Sequence, residues 1–389
     1  MNSLNRVILP GQTIGIIGGG QLGRMMAMSA KASGFRIAVL DPTPGSPCGQ
    51  VADVEITAEY NDLEALKKLA DISDVITFEF ENINGEALDW LTQYAYVPQG
   101  SELLKISQNR IFEKKAITDA GAEVAPYAVI RSMDDLHEKA GSIGLPAVLK
   151  TATGGYDGKG QLVLKDAGCL EKARVMVGQC ECVLEAWLPF EKEISVIVSR
   201  NVDGDVSVFP VAENIHKENI LFQTIVPARI SEDLERKAIE KAMLIANHVS
   251  LAGTLAVEMF VMENGEIYIN ELAPRPHNSG HYTMDACETS QFEQHIRAVC
   301  NWKLANTGLL KPVVMGNILG GQLEPLLAKI PELVDWKIHL YGKAEARDKR
   351  KMGHVNIVRD NIETALMEAE QSKIWESGHR ELQIGGNKK

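Results

Sequence analysis

Residues 255–283 read LAVEMFVMENGEIYINELAPRPHNSGHYT. Two runs rich in apolar and β-branched residues flank Asn264-Gly265, the dipeptide that best supports a two-residue type I′ hairpin, because both central residues take positive φ. Counting outward from that turn pairs Glu263 with Glu266, Met262 with Ile267, Phe260 with Ile269 and Glu258 with Glu271. Directly opposed side chains on an antiparallel pair have Cβ atoms about 4.5–5.5 Å apart, and like charges there are destabilising. A hard divalent cation would offset the repulsion, since magnesium takes one or two protein carboxylates and completes its shell with water and phosphate oxygens. Two solvated glutamates on an edge strand are the ordinary alternative.

Composition narrows the setting. A chain of 389 residues with 45% hydrophobic and 24% charged residues predicts two or three globular domains. A net charge of −12 argues against nucleic acid or a membrane surface as partner, and leaves room for a local basic pocket that takes a small anion. The six cysteines form no C-x-x-C pattern and read as reduced fillers. No signal pattern opens the chain and no run approaches the ~20 apolar residues that span a bilayer, so a cytoplasmic enzyme is expected.

Working outward from the hairpin, the N-terminal stretch passes from a short apolar run at 13–17 into GGGQLGRM at 18–25, with Gly18, Gly20 and Gly23 in G-x-G-x-x-G spacing. Strand, tight turn and helix follow, and Asp41 ends the next strand near the offset at which a dinucleotide fold places its ribose-binding acid. An NAD-dependent oxidoreductase and a phosphate or small-ligand turn both fit this segment. Asn61 with Glu64 predicts a helix start. The strand DVITFEF at 74–80 delivers Glu79 to a sheet's carboxyl end, where α/β sheets bind ligands. Ser107 is expected to cap a helix reaching about residue 121, which places a domain boundary near 105–110.

Further on, GGYDGKG at 154–160 lies between two expected strands, and its glycines leave backbone amides free to approach phosphate oxygens. Lys150 and Lys159 add cations there. It is not a Walker A loop, which leads into a helix. The middle of the chain is rich in antiparallel strands. Residues 317–321, NILGG, read as a turn, and KAEARDKRKMGH at 343–354 gathers basic residues in an acidic protein. Such runs are usually solvated faces, but an anionic substrate would need one.

These motifs together resemble the ATP-grasp superfamily. GGGQLGRM, TFEFENI, GGYDGKG, VEMFV with INELAPRPHNSGHYT, and KRKMGH resemble, in their joint order, the 5-(carboxyamino)imidazole ribonucleotide synthases of purine biosynthesis. The resemblance implies an α/β chain with a Rossmann-like domain at 1–108, an ATP-grasp domain at 109–315 with a strand-rich lid at about 125–186, and a small C-terminal unit at 316–389. It implies ATP-dependent phosphorylation of bicarbonate, release of carbon dioxide from carboxyphosphate, and its capture by the exocyclic amine of 5-aminoimidazole ribonucleotide. A homodimer with small-molecule substrates and ATP with Mg2+ is expected.

Carried over by motif, Glu258 and Glu271 would hold magnesium, with Asn270 adjoining. Lys150 and the loop Gly154, Gly155, Tyr156, Asp157, Gly158, Lys159 and Gly160 would cradle the phosphates. Arg110 and His216 would line the nucleotide site, Glu185, Ala186, Trp187 and Leu188 would offer backbone to adenine, and Glu193 would take the ribose hydroxyls. Arg275 and His277 would orient bicarbonate. Asn278, Gln21, Leu22 and Glu79 would form the ribonucleotide pocket, with Lys343, Arg350 and Lys351 on its 5′-phosphate and Tyr156 closing over it. Ala273 stands where many ATP-grasp enzymes carry an asparagine metal ligand, so the resemblance implies a two-glutamate site. The rival readings are formate-dependent glycinamide ribonucleotide transformylase, the NAD-dependent oxidoreductase and a non-catalytic nucleotide-binding module.

Overall fold

Three strands of the first sheet are largely apolar, buried runs, as expected of parallel strands covered on both faces, whereas the edge strand that carries Glu55 is partly exposed. Strands β1 (Thr13–Ile17), β2 (Arg36–Asp41), β3 (Val54–Thr57) and β4 (Val75–Phe78) lie parallel in the order β3-β2-β1-β4. The computed structural model describes residues 6–155 and 160–376. Helix Gln21–Ala32 starts directly behind the glycine turn, and its Met25, Met26 and Ala30 pack under β1 and β2. Helix Leu63–Ile72 starts at Asp62, not at Asn61: the Asp62 carboxylate accepts the amides of Glu64 and Ala65. A carboxylate at the cap also favours the positive end of the helix dipole.

The second sheet is antiparallel: β5 (Tyr127–Ile130), β6 (Ala147–Thr151), β7 (Gln161–Leu164) and β8 (Cys182–Ala186) in the order β5-β8-β6-β7. Helix Met133–Ile143, capped by Ser132, buries Leu136 and Ala140 against it. The helix expected from Ser107 to about 121 is two helices, Glu102–Ser107 and Arg110–Asp119, because the Asn109 side chain caps Ile111 and restarts the chain there.

The largest sheet has nine strands: β9 (Lys192–Arg200), β10 (Val206–Val208), β11 (Ala212–Lys217), β12 (Ile220–Val226), β13 (Gly253–Val261), β14 (Ile267–Ala273), β15 (Val313–Leu319), β16 (Lys337–Leu340) and β17 (Lys351–Val358). Its order is β14-β13-β9-β11-β12-β15-β17-β16, with β10 added to β9. Helix Glu232–His248 presents Ala238, Ala242, Ile245 and Ala246 to this sheet every third or fourth residue. Helix Gln291–Val299 joins the sheets, since Phe292, Ile296 and Val299 share one core with Ile14, Ile16 and Met26.

Two expectations fail here. Residues 317–321 are not a turn: β15 runs through Leu319 and a helix, Gly320–Lys329, begins at once. A boundary at 315/316 therefore falls inside β15. The C-terminal strands continue the large sheet through the β12–β15 pairing.

Candidate active site

The hairpin that organises the site reaches the expected pairing by a different route. Met262 donates to Glu266 and Gly265 to Met262, both at 2.9 Å, so the loop has three residues, Glu263 to Gly265, with Gly265 at φ +81. The pairs next to it are Val261 with Ile267, Phe260 with Tyr268 and Met259 with Ile269, one residue out from the two-residue count. A bulge at Asn270 takes up that residue, and Glu258 faces Glu271 after all. The pairings predicted for Phe260, Met262 and Glu263 are wrong, because glycine at the third loop position supports the longer turn equally well.

The pairing disturbs Glu258. Burial first, and then the charge of Glu271, push Glu258 up to about 7. Among the described residues no three His, Cys, Asp or Glu side chains converge as a metal cage. Two opposed carboxylates, one of them with a raised pKa, fit a hard cation that draws its remaining ligands from water and phosphate.

Around this pair the turn at 275–278 assembles. Arg275, with 18% of its side chain exposed, pairs its Nη2 with Glu81 Oε1 at 2.7 Å and leaves a buried Nε without a partner. Burial works against its charge, but Glu81, Glu271 and Glu79 outweigh it and raise its pKa. The His277 Nε2 lies 3.3 Å from Glu258 Oε1, and its Nδ1 is 2.9 Å from Ser279 Oγ. Burial, then Arg275 and Lys351, hold His277 well below the usual histidine range, so it is neutral. Asn278 is 7% exposed with both amide atoms buried and unbonded, an open donor and acceptor next to His277 in the chain.

The nucleotide-site candidates form three separate contacts. Lys150 Nζ bonds Glu185 Oε2 at 2.9 Å. Arg110 donates its Nη2 to the Gly155 carbonyl at 3.3 Å, anchoring the glycine loop, and Gly154 and Gly160 take φ of +77 and +71. Tyr156, Asp157, Gly158 and Lys159 lie outside the described residues. The amides of Ala186 and Trp187 bond the carbonyls of Pro126 and Pro146 at 2.9 and 3.2 Å, and Trp187 is 48% exposed beside Leu188. His216 Nδ1 pairs with Glu193 Oε2 at 2.7 Å. Burial opposes the charge on His216, but Glu193 prevails and raises its pKa.

The glycine turn of the first sheet reaches the 275–278 turn through Glu79, whose charge acts on Arg275. Glu79 is buried and accepts the amide of Gly20 on one oxygen and that of Gly23, at 2.6 Å, on the other. Asp41 is filled likewise by Gly19 at 2.6 Å, Thr43 at 2.8 Å and Tyr60 at 2.7 Å. The chain's own carboxylate thus occupies the helix N-terminus where a dinucleotide pyrophosphate would sit, and the ribose-binding acid is spent on its own loop. The oxidoreductase reading fails on this geometry. Gln21 is half-buried at the turn, whereas the side chain of Leu22 is in the core with Met25.

Lys343 donates to the Lys351 carbonyl at 2.7 Å. Burial first, then Arg350 and Lys351, push its pKa down to about 8 against the pull of Glu79. Arg350 reaches the Glu345 carbonyl at 3.2 Å. The basic run is therefore folded back toward Glu79, and Lys351 acts electrostatically on His277, His216 and Glu258.

Three site residues escape sequence reasoning. Glu81, partner of Arg275, stood next to Glu79 without a sign of its role. Glu113 is 2% exposed, accepts the Leu272 amide at 2.8 Å beside Glu271, and is pushed up to about 8 by burial and then by Glu271. Lys114 is equally buried, with its Nζ 3.2 Å from Glu185 Oε1.

Three family models match the chain. Residues 11–108 match the ribonucleotide synthetase preATP-grasp domain, 115–292 the ATP-grasp domain and 313–368 the phosphoribosylaminoimidazole carboxylase C-terminal domain. An N5-carboxyaminoimidazole ribonucleotide synthase of Bacillus subtilis is 57% identical over 355 residues, 91% of this chain and 93% of the relative. The crystal structure of the ADP complex of an N5-carboxyaminoimidazole ribonucleotide synthetase is 60% identical, with a TM-score of 0.93 over 95% of this chain and 98% of the other. An Aspergillus clavatus synthase in complex with ADP and 5-aminoimidazole ribonucleotide is 28% identical, with a TM-score of 0.88 over 96% of this chain and 99% of the other. The chain belongs to the N5-carboxyaminoimidazole ribonucleotide synthase family of ATP-grasp ligases.

Proposed function

We propose that the opposed glutamates and the turn that follows them carry out the family's reaction, the ATP-dependent carboxylation of 5-aminoimidazole ribonucleotide by bicarbonate. The observation that supports this reading is the turn of Arg275, His277 and Asn278, whose His277 Nε2 lies 3.3 Å from Glu258 Oε1 and whose Asn278 amide is buried and unbonded. Lys150, Arg110 and the glycine loop hold the phosphates, Glu193 and His216 the ribose, and the segment Glu185 to Leu188 the adenine. Glu258 and Glu271 would hold Mg2+, which when bound neutralises charge on the phosphate oxygens during transfer.

Arg275 holds bicarbonate in line with the γ-phosphate, its planar guanidinium matching two oxygens. A bicarbonate oxygen forms the new bond to phosphorus as the bond to ADP breaks, giving carboxyphosphate. Its carbon–oxygen bond then breaks to release phosphate and carbon dioxide. The exocyclic amine adds to carbon dioxide and loses a proton, and Asn278 offers an acceptor and a donor to the amine and the new carboxylate. Neutral His277 can donate to an oxyanion or accept from the amine. Lys343, Arg350 and Lys351 hold the 5′-phosphate, and Glu79 shapes the turn that presents Gln21.

The sheet β5–β8 serves as the lid. We assign residues 1–108, 109–312 and 313–389 to the three units, which moves the last boundary to keep β15 whole. No described helix is long and apolar enough to cross a membrane. By kinship with purine-biosynthesis enzymes we place the chain in the cytoplasm as a homodimer, for which light scattering would read twice 42.6 kDa.

Oxygen transfer tests the reading. Bicarbonate labelled with ¹⁸O should deliver label to the phosphate released during turnover, and Arg275→Ala should cut that turnover about 10²- to 10³-fold while ADP still binds. Unlabelled phosphate from an active enzyme would exclude carboxyphosphate.

A further inference from the structure

Glu185 is 6% exposed, and its two oxygens each face a different lysine. Lys150 of β6 holds Oε2 at 2.9 Å, and Lys114 of helix Arg110–Asp119 holds Oε1 at 3.2 Å. The two cations are not equivalent. Lys150 keeps 16% of its side chain exposed, whereas Lys114 keeps 2% and lies 5.5 Å from the centre of the Tyr127 ring. One cation can swing to an incoming anion; the other is walled in.

A nucleotide that uses Lys150 must draw its ammonium away from Glu185. With one lysine alone, that motion would strand a buried carboxylate, a heavily penalised state. We propose that Lys114 is a standing counter-ion for Glu185 that releases Lys150 to the nucleotide, a positioning residue for ATP that itself touches no substrate. Because Lys114 and Glu185 belong to the helix beneath the lid and to the lid sheet, the pair also ties the lid to its base. The inference rests on the assignment of Lys150 to the nucleotide.

The pattern of mutant effects separates this role from mere support. In full-length protein, Lys114→Met should raise the dissociation constant of magnesium ADP about tenfold or more, because Glu185 then competes for Lys150. The Michaelis constant for 5-aminoimidazole ribonucleotide should stay within about twofold. Adding Glu185→Gln to Lys114→Met should recover most of the lost affinity, since no carboxylate remains to capture Lys150. A double variant as weak as Lys114→Met, or weaker, would overturn the proposal. If Lys114→Met does not fold, Glu185→Gln alone decides: affinity equal to or tighter than the parent supports the proposal, and a loss as large as that of Lys150→Met overturns it. Unchanged affinity in Lys150→Met would overturn the nucleotide assignment and the inference together.

Discussion

At the scale of single residues, charge in this protein is informative only where burial makes it costly. Lys343 is the clearest case. Burial and the neighbouring Arg350 and Lys351 bring it to about 8, so the cation proposed to meet the substrate phosphate titrates close to neutrality. Its charged form dominates below that pH and is lost above it. The value of kcat/KM for the ribonucleotide, which reports the free enzyme, should therefore fall as pH rises through about 8, while kcat falls less because bound phosphate holds the proton. Lys343→Arg, always charged, should flatten that limb; an unchanged limb in the variant would assign it to another group. The motif residues were legible because their types and order are unusual. Glu81, Glu113 and Lys114 were not, since acids and a lysine in polar surroundings read as solvated, and only tertiary packing turns them inward.

At the scale of elements, the hairpin shows how a right pairing can come from a wrong count. The loop is one residue longer than Asn-Gly suggests and the Asn270 bulge restores the phase, so two unseen irregularities cancel at Glu258 and Glu271. Bulges leave little sequence signal, since almost any residue tolerates the bulged position. The glycine loop carries the sharper test. Gly160 closes β6 to β7 through its carbonyl on the Thr151 amide at 2.9 Å, with φ +71, and an added Cβ would lie 2.8 Å from Thr151 Oγ1. Gly160→Val should cost the closed loop about 1–3 kcal/mol and raise the Michaelis constant for ATP by roughly ten- to a hundredfold, with the ribonucleotide value hardly moved. Equal losses for both substrates would mean that the loop does not serve the triphosphate.

At the scale of the whole molecule, the three units were legible from the order of the motifs, but their joining was not. Pairing of β12 with β15 and the shared core of helix Gln291–Val299 with β1 depend on contacts far apart in sequence, where local periodicity says nothing. Those joints bring the 275–278 turn, Glu79 and the basic run to one centre, to which we propose the nucleotide side also belongs. The central claim is that this centre couples ATP cleavage to both other substrates, with the closed site excluding the water that would destroy carboxyphosphate. The most direct measurement is ADP release from the purified chain with magnesium ATP, supplying bicarbonate and 5-aminoimidazole ribonucleotide separately and together. Release should rise on the order of tenfold or more only when both are present. Release driven by formate with glycinamide ribonucleotide, or indifferent to every acid and ribonucleotide supplied, would contradict the account.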